Sequence, residues 1–409
     1  MNQNRNLEWI YIGRALRSFI TAFLTVIFPL YLAKEGYSAS RIGLVLALSG
    51  AMTVALVAAV GLFADFYGRR RAIIGLAILG AVGGTAMGLS HAFWWAVVAS
   101  GLGGVGRGGG AGSGGSWGPV FPAEQPLVTD SVAPERRTWA FGRISFIGVL
   151  AGAAGSLVAG VPAWLHHQGW TLLAGYRLLF FVGALLSLAM VFASLPIREH
   201  LPNASARDEA PPPIPLRTLM GRLGLTNALN GLGFGFLGPL LTYWFYRRFG
   251  VGSAEIGLLY TFINLAAAFP YLWSSHLAKR LGAVKTVTVT RGLGLLMMLL
   301  MVFMPSFTWA GLFYLLRMVF NSLGMPARQS FVMGVSESRY RSRVSAFSSL
   351  PSQLTAMITP AVGGALMQSV LDIPIYGAVF FMGLNLITYW WSFHNVPEGQ
   401  TIKAGGPSS

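Results

Sequence analysis

Apolar runs of roughly 17–25 residues, each long enough to cross a hydrocarbon layer as a helix, alternate along the chain with short polar breaks. They predict twelve spans, at 9–33, 41–63, 72–91, 93–118, 140–165, 176–196, 219–246, 254–275, 283–304, 308–327, 344–370 and 374–395. Between the sixth and seventh the pattern fails. Residues 198–217 hold Pro202, Asp208, Glu209 and the run Pro211-Pro212-Pro213, too polar to span and too proline-rich for a regular helix. The expected organisation is a six-helix bundle over 1–197, a linker over 198–217, a second six-helix bundle over 218–396 and a tail over 397–409.

The two halves repeat. Gly36, Ile42-Gly43-Leu44 and Gly68 recur at one offset as Gly250, Ile256-Gly257-Leu258 and Gly282, and Pro122-Ala123-Glu124-Gln125 recurs as Pro326-Ala327-Arg328-Gln329. Such internal repeats are a common construction of membrane carriers. Composition agrees: of 409 residues 54% are hydrophobic and 10% charged, against about 25% charged in soluble domains. The net charge of +16 lies between apolar spans rather than in a basic soluble domain, which argues for membrane orientation and against nucleic acid. Lys34, Arg41, Arg177, Arg247 and Arg248 fall on one side of the spans, and most other loop cations share the opposite side with both termini and the linker. That asymmetry places the termini in the cytoplasm and makes the number of spans even. The first apolar segment lacks a small-residue cleavage site and is expected to be a span rather than a removed signal. The absence of cysteine excludes disulfides and thiolate chemistry.

The charged break between the second and third spans reads Gly61-Leu-Phe-Ala-Asp65-Phe-Tyr-Gly68-Arg69-Arg70-Arg71. Its charges belong at the water interface, since a charge at the bilayer centre costs at least about 2.5–3.5 kcal/mol. The pattern G-x-x-x-D-x-x-G-R-[RK] resembles the signature loop between the second and third helices of the major facilitator superfamily, with Phe66 standing where the family usually has an arginine. The resemblance implies an all-α membrane protein of twelve transmembrane helices in two pseudo-symmetric six-helix bundles. It further implies a secondary active transporter that moves a small molecule across the cytoplasmic (inner) membrane by alternating access, similar to bacterial drug- and metabolite-efflux members. On that reading Gly61, Asp65, Gly68, Arg69 and Arg70 serve gating, with the Asp65 carboxylate bracing the N-terminus of the eleventh helix. The second half has Lys279 in the place of Asp65. Arg107, followed by Gly108 to Gly110, Ala111 and Gly112, resembles the family's R-x-x-x-G motif on the fourth helix. Gly148, Gly152, Gly155 and Ser156 resemble an exporter motif on the fifth but with Ala153 where its proline belongs; Thr359-Pro360-Ala361-Val362-Gly363-Gly364 on the eleventh span matches it better. Export is the expected direction.

Polar residues inside spans mark the expected cavity. Arg14, Ser18, Thr21 and Thr25 recur at i, i+4, i+7 and i+11 with Arg17 beside them, a polar face on the first helix. The expected cavity residues are Arg17, Thr21, Arg107, Asn227, Asn230, Arg317 and Gln353. Arg291 also falls within a span, while Asn264, Asn321, Asn385 and Tyr389 read as interhelical hydrogen-bonding residues. Glu124 and Arg328 hold equivalent repeat positions with opposite sign at the cytoplasmic ends of the fourth and tenth helices and join the expected gating residues, pairing either with each other across the halves when that side closes or each with a local charge. The central thirds of the spans hold no Asp or Glu. This motivates an alternative substrate, an organic or inorganic anion in an arginine-lined cavity, and puts a buried proton-carrying acid in doubt although a proton remains the coupling ion to test. The six histidines fall at span ends, loops or linker, and no catalytic or metal-ligating constellation emerges. The expectation is a monomeric carrier in the lipid bilayer with no cofactor, no enzymatic activity and no nucleic-acid partner. The rival class is a membrane sensor or enzyme on the same fold.

If the charge asymmetry sets the topology, Ser205→Cys and Ser408→Cys in this cysteine-free chain stay unlabelled by an impermeant maleimide in intact cells and label in inside-out vesicles. Labelling of Ser205→Cys from outside reverses the orientation.

Overall fold

The computed structural model describes residues 3–89, 92–103, 118–131, 137–199, 216–238, 240–335 and 341–396. Among them are fifteen helices and no strand, all but the one at Phe121–Asp130 overlapping a predicted span. The first three spans are α1 (Gln3–Lys34), α2 (Ala39–Tyr67) and α3 (Arg69–Leu89). The fourth holds α4 (Phe93–Gly103), and α5 (Phe121–Asp130) follows beyond the predicted run; the fifth holds α6 (Arg137–Val158) and α7 (Val161–His167), and the sixth α8 (Leu172–Ser194). In the second half come α9 (Leu216–Leu237) and α10 (Leu241–Phe249), α11 (Ser253–Leu281), α12 (Ala283–Val302), α13 (Phe307–Val335), α14 (Arg341–Leu366) and α15 (Ile373–Phe393). Among the described residues seven helices are long and apolar enough to cross a membrane by length and composition.

Local chemistry sets the helix ends. Ser38 accepts from the Arg41 amide ahead of α2, Thr171 from the Ala174 amide ahead of α8, and the Glu255 carboxylate from the Gly252 amide ahead of α11. The repeat glycines have a conformational cause: Gly36, Gly250, Gly68 and Gly282 all have positive φ, at 88°, 69°, 100° and 83°. Only a residue without Cβ takes these turns without strain. Large side chains left exposed, such as Leu185, Phe192 and Ile387, suit contact with lipid, and Trp94, Trp309 and Trp391 lie exposed within two residues of a helix end, where indole rings favour the membrane interface.

The chain packs as two compact units that cut across the halves of the sequence. Unit 1 comprises Met1–Pro202, Gly235–Ala268 and Met357–Pro374; unit 2 comprises Asn203–Phe234, Phe269–Ala356 and Ile375–Ser409. In unit 1, α1 packs on α6 and α8, and α3 on α8 and α4, around a core that includes Leu7, Tyr11, Ala123, Val128, Ile144 and Ile197. In unit 2, α12 packs on α13, and Leu223, Val287, Phe331, Tyr389 and Phe393 form the core.

Unit 1 brings residues of both sequence halves together at the helix ends remote from the termini. A Cβ on Gly43 of α2 would strike the Pro360 carbonyl oxygen and lie 3.0 Å from the Gly364 Cα of α14, while one on Gly364 would strike the Ala39 carbonyl oxygen. The repeat-related Gly257 of α11 makes the matching approach to α6, its Cβ position being 2.5 Å from the Ser156 carbonyl oxygen. Nearby, the Thr261 hydroxyl donates to the Ala153 carbonyl at 3.1 Å and the Asn264 amide to the Ser156 hydroxyl at 3.3 Å. At the same end Lys34 lies 5.5 Å from the Tyr246 ring centroid, and Asp372 accepts from the Trp244 indole at 2.7 Å and pairs with Arg248 at 3.0 Å. These contacts join residues of the two sequence halves at that end.

Leucine at Gly43 or Gly257 cannot fit against the facing backbone, so either variant should populate a state open at that end. Spin labels at Ser38→Cys and Ser369→Cys read the change as a lengthened distance distribution; an unaltered distribution in both variants removes the gate from these glycines.

Candidate functional site

Two polar clusters lie within the helical interior, one in each unit. In unit 1, Arg14 and Arg17 share one face of α1, three residues apart. Both meet Glu124 of α5: the Arg14 guanidinium reaches Oε2 at 2.8 Å and that of Arg17 at 2.5 Å. All three are buried, at 2%, 8% and 4% exposure. Arg17 lies eleven residues beyond Asn6, where the apolar segment Asn6–Lys34 begins, about 16 Å along the helix axis at 1.5 Å per residue. Glu124 therefore stands deep in the helical interior, and the expectation that no acid does so is corrected. Its sequence position after the fourth apolar run hides this, because α5 carries it to the level of α1's arginines. Of the two pairings open to Glu124, the structure makes the local one, with Arg14 and Arg17. The hydroxyls of Thr21 and Thr25 donate to carbonyls one turn back, Thr21 to Arg17 and Thr25 to Thr21, which spares the apolar medium two unmet donors.

In unit 2 the cluster centres on α9. The Arg328 guanidinium donates to the Asn227 Oδ1, and Arg291 donates to the Asn385 Oδ1 at 3.2 Å and the Asn230 Oδ1 at 3.5 Å. Asn385 in turn donates to the Thr226 carbonyl, and Asn227 to the Leu223 carbonyl at 2.8 Å. Arg317 contacts the sulfurs of Met318 at 3.4 Å and Met382 at 3.8 Å, and lies 5.6 Å from the Tyr314 ring centroid. Gln353 is half-buried on α14, beside Ser352, whose carbonyl abuts Gly231 of α9, and the Thr355 hydroxyl donates to the Ala228 carbonyl at 2.9 Å.

Of the expected cavity residues, the structure thus gathers Asn227, Asn230 and Arg317 in unit 2 and puts Arg17 and Thr21 in unit 1; Arg107 lies outside the described residues. Gly61 and Asp65 sit in the last two turns of α2. Gly68 ends that helix, its amide donating to the Ala64 carbonyl. Beyond it the Glu199 carboxylate accepts from the Arg70 amide in the first turn of α3, an anion at the positive end of a helix. Arg70 is thereby placed against Glu199, a partner that the loop pattern does not reveal. Sequence reasoning also passed over Arg291 as a site residue and took Asn385 for a packing amide. The signal was present: an arginine in mid-span requires polar partners, and Asn230 and Asn385 are the amides that meet it.

A polytopic helical fold with an internal repeat, closely packed glycines and arginines held inside it is the architecture of a membrane carrier. The sequence matches the Major Facilitator Superfamily over residues 10–222 and again over 223–408. The chain belongs to that superfamily and is a multi-pass membrane transporter of its twelve-helix fold. No curated protein matches it in sequence. Among solved structures it is similar to a bacterial homologue of the human lysosomal transporter Spinster in an inward-facing, occupied conformation, with TM-score 0.71, 16% identity, and 95% of this chain and 96% of that chain covered. A bacterial homologue of the iron transporter ferroportin, inward-facing, gives 0.70 at 16% identity over 96% and 100% of the two chains. The human organic anion transporter MFSD10 (TETRAN) gives 0.62 at 16% over 96% and 100%.

Glu124→Gln removes the counter-charge of two buried arginines. Breaking a buried ion pair from one side costs about 3–5 kcal/mol, so this variant should unfold at a markedly lower temperature than wild type. The triple variant Arg14→Met, Arg17→Met, Glu124→Gln should recover most of the loss. Thermal unfolding of the purified proteins decides; equal melting of wild type and Glu124→Gln shows that the cluster carries little stability.

Proposed function

We propose that the protein is a secondary active transporter that moves a small molecule across the cytoplasmic membrane by alternating access, in the export direction. The observation that carries this reading is the closed end of unit 1, where the repeat-related Gly43 and Gly257 press against α14 and α6. A contact of bare backbone on backbone, duplicated by the internal repeat, suits a seam that must form and part. With the termini cytoplasmic, the closed end is the outer one. The exporter-like glycines support the direction: Gly155 of α6 abuts the Phe19 carbonyl of α1, and Gly364 lies in the seam itself. Glu124 is the one acid among the buried described residues, which makes it the group to test for proton coupling. Asp65 and Arg69 to Arg71 form the gate at the opposite end. The substrates of the similar structures differ widely, an iron transporter beside an organic anion transporter, so the fold selects none of them.

Reconstituted liposomes test this. The protein should support saturable counterflow of at least one small organic solute, and Asp65→Asn should slow it while shortening the mean Ser38–Ser369 label distance, because a carboxylate at a helix N-terminus is worth about 0.3–2 kcal/mol. Counterflow and label distance both unchanged in Asp65→Asn sink the gate. Absence of counterflow for a panel of organic anions, nucleosides and lipophilic cations sinks the carrier.

A further inference from the structure

The two clusters are electrically unlike. In unit 1 two arginines share a carboxylate; in unit 2 Arg291 and Arg328 meet neutral partners in the contacts above, and the described residues of that unit include no Asp or Glu. Asparagine oxygens orient a guanidinium without neutralising it. Arg291 lies eight residues into α12, about 12 Å from its start, within electrostatic reach of the like charge of Arg328. Like charges at such depth repel and lose hydration together. An arrangement of this kind is stable when something of opposite sign can enter.

Two features say that it can. Arg291, Arg317 and Arg328 are each partly exposed as residues, unlike the sealed Arg14 and Arg17. The Nε atoms of Arg291 and Arg328 are buried and find no hydrogen-bond partner among the described residues, while a terminal nitrogen of each is held by an asparagine. Nε with its neighbouring terminal nitrogen is the fork that grips two oxygens of a carboxylate or phosphate; in Arg291 the asparagines hold the other terminal nitrogen, Nη1, while in Arg328 Asn227 takes Nη2 and leaves Nε. Asn227 and Asn230, one turn apart on α9, fix the two arginines from behind. Beside them Met318, Met382 and Tyr314 around Arg317 offer a soft apolar wall, which suits an organic ion better than a fully hydrated inorganic one.

We propose that Arg291 and Arg328, steadied by Asn227, Asn230 and Asn385, form an anion-recognition site for the carboxylate or phosphate group of an organic anion. This rests on the transporter reading and names the substrate class of that carrier. Arg17, expected among the cavity residues, is already matched by Glu124.

The test uses the full-length purified protein in detergent, with benzoate, benzyl phosphate, citrate and inorganic phosphate as anionic probes and benzylamine as the cation of matched shape. Phosphatidylglycerol in mixed micelles stands for a lipid headgroup. At least one organic anion should raise the unfolding temperature saturably, and benzylamine should not. Arg291→Gln and Arg328→Gln should each weaken that binding at least tenfold, while Arg222→Gln, an exposed arginine bonded to the Ser392 carbonyl, leaves it unchanged. Should the glutamine variants fail to fold, Arg291→Lys and Arg328→Lys keep the charge, lose the fork and should still weaken binding. The proposal is overturned if no organic anion binds, if benzylamine binds as well, if folded variants bind like wild type, or if phosphatidylglycerol alone binds. Liposome counterflow separates the two readings: anion binding without transport of any solute sinks the carrier and keeps the site, whereas transport of benzylamine without anion binding does the reverse.

Discussion

An apolar medium offers nothing to a charge, so every ion carried into it must be answered by the protein itself or by what the protein binds. This chain answers in two ways. Arg14 and Arg17 close on Glu124 and become structure: a buried group whose oppositely charged oxygens and nitrogens are in contact and nearly sealed from solvent. Arg291 and Arg328 are held by amide oxygens and left partly exposed as residues. The repeat sets Glu124 and Arg328 at equivalent positions with opposite sign, one inside the ion cluster and the other inside the cationic one.

Backbone obeys the same constraint. Hydroxyls on the helices, as at Thr21, Thr25, Thr53, Thr286 and Thr290, donate to carbonyls one turn back on their own helix, and glycines let neighbouring helices approach until dispersion between backbones holds them. Where Gly43 meets Pro360 and Gly364, and Gly257 meets Ser156, few side chains interlock. Such a seam loses little when it parts, and this links the glycine pattern to motion. The ion and ring contacts at the same end, Asp372 with Arg248 and Lys34 over Tyr246, lie near the helix ends, where water can take over their bonds as they separate.

Hydropathy alone marked the order of the apolar spans, since a span must be apolar for its whole length and a linker with three consecutive prolines cannot be one. The repeat, too, was legible, because a turn that needs positive φ selects glycine wherever it occurs; Gly36, Gly68, Gly250 and Gly282 announce their geometry by identity. The signature loop pointed to the superfamily for a related reason, its glycines and charges being fixed by turn and interface rather than by packing. Partnership was decided only by the tertiary structure. Glu124 lies outside the apolar run yet deep in the interior, Glu199 meets Arg70 across more than a hundred residues, and Arg291 finds its amides on α9 and α15. A charge in a sequence declares that a partner is required, but which group supplies it depends on distances between helices, and no local pattern of residues encodes those.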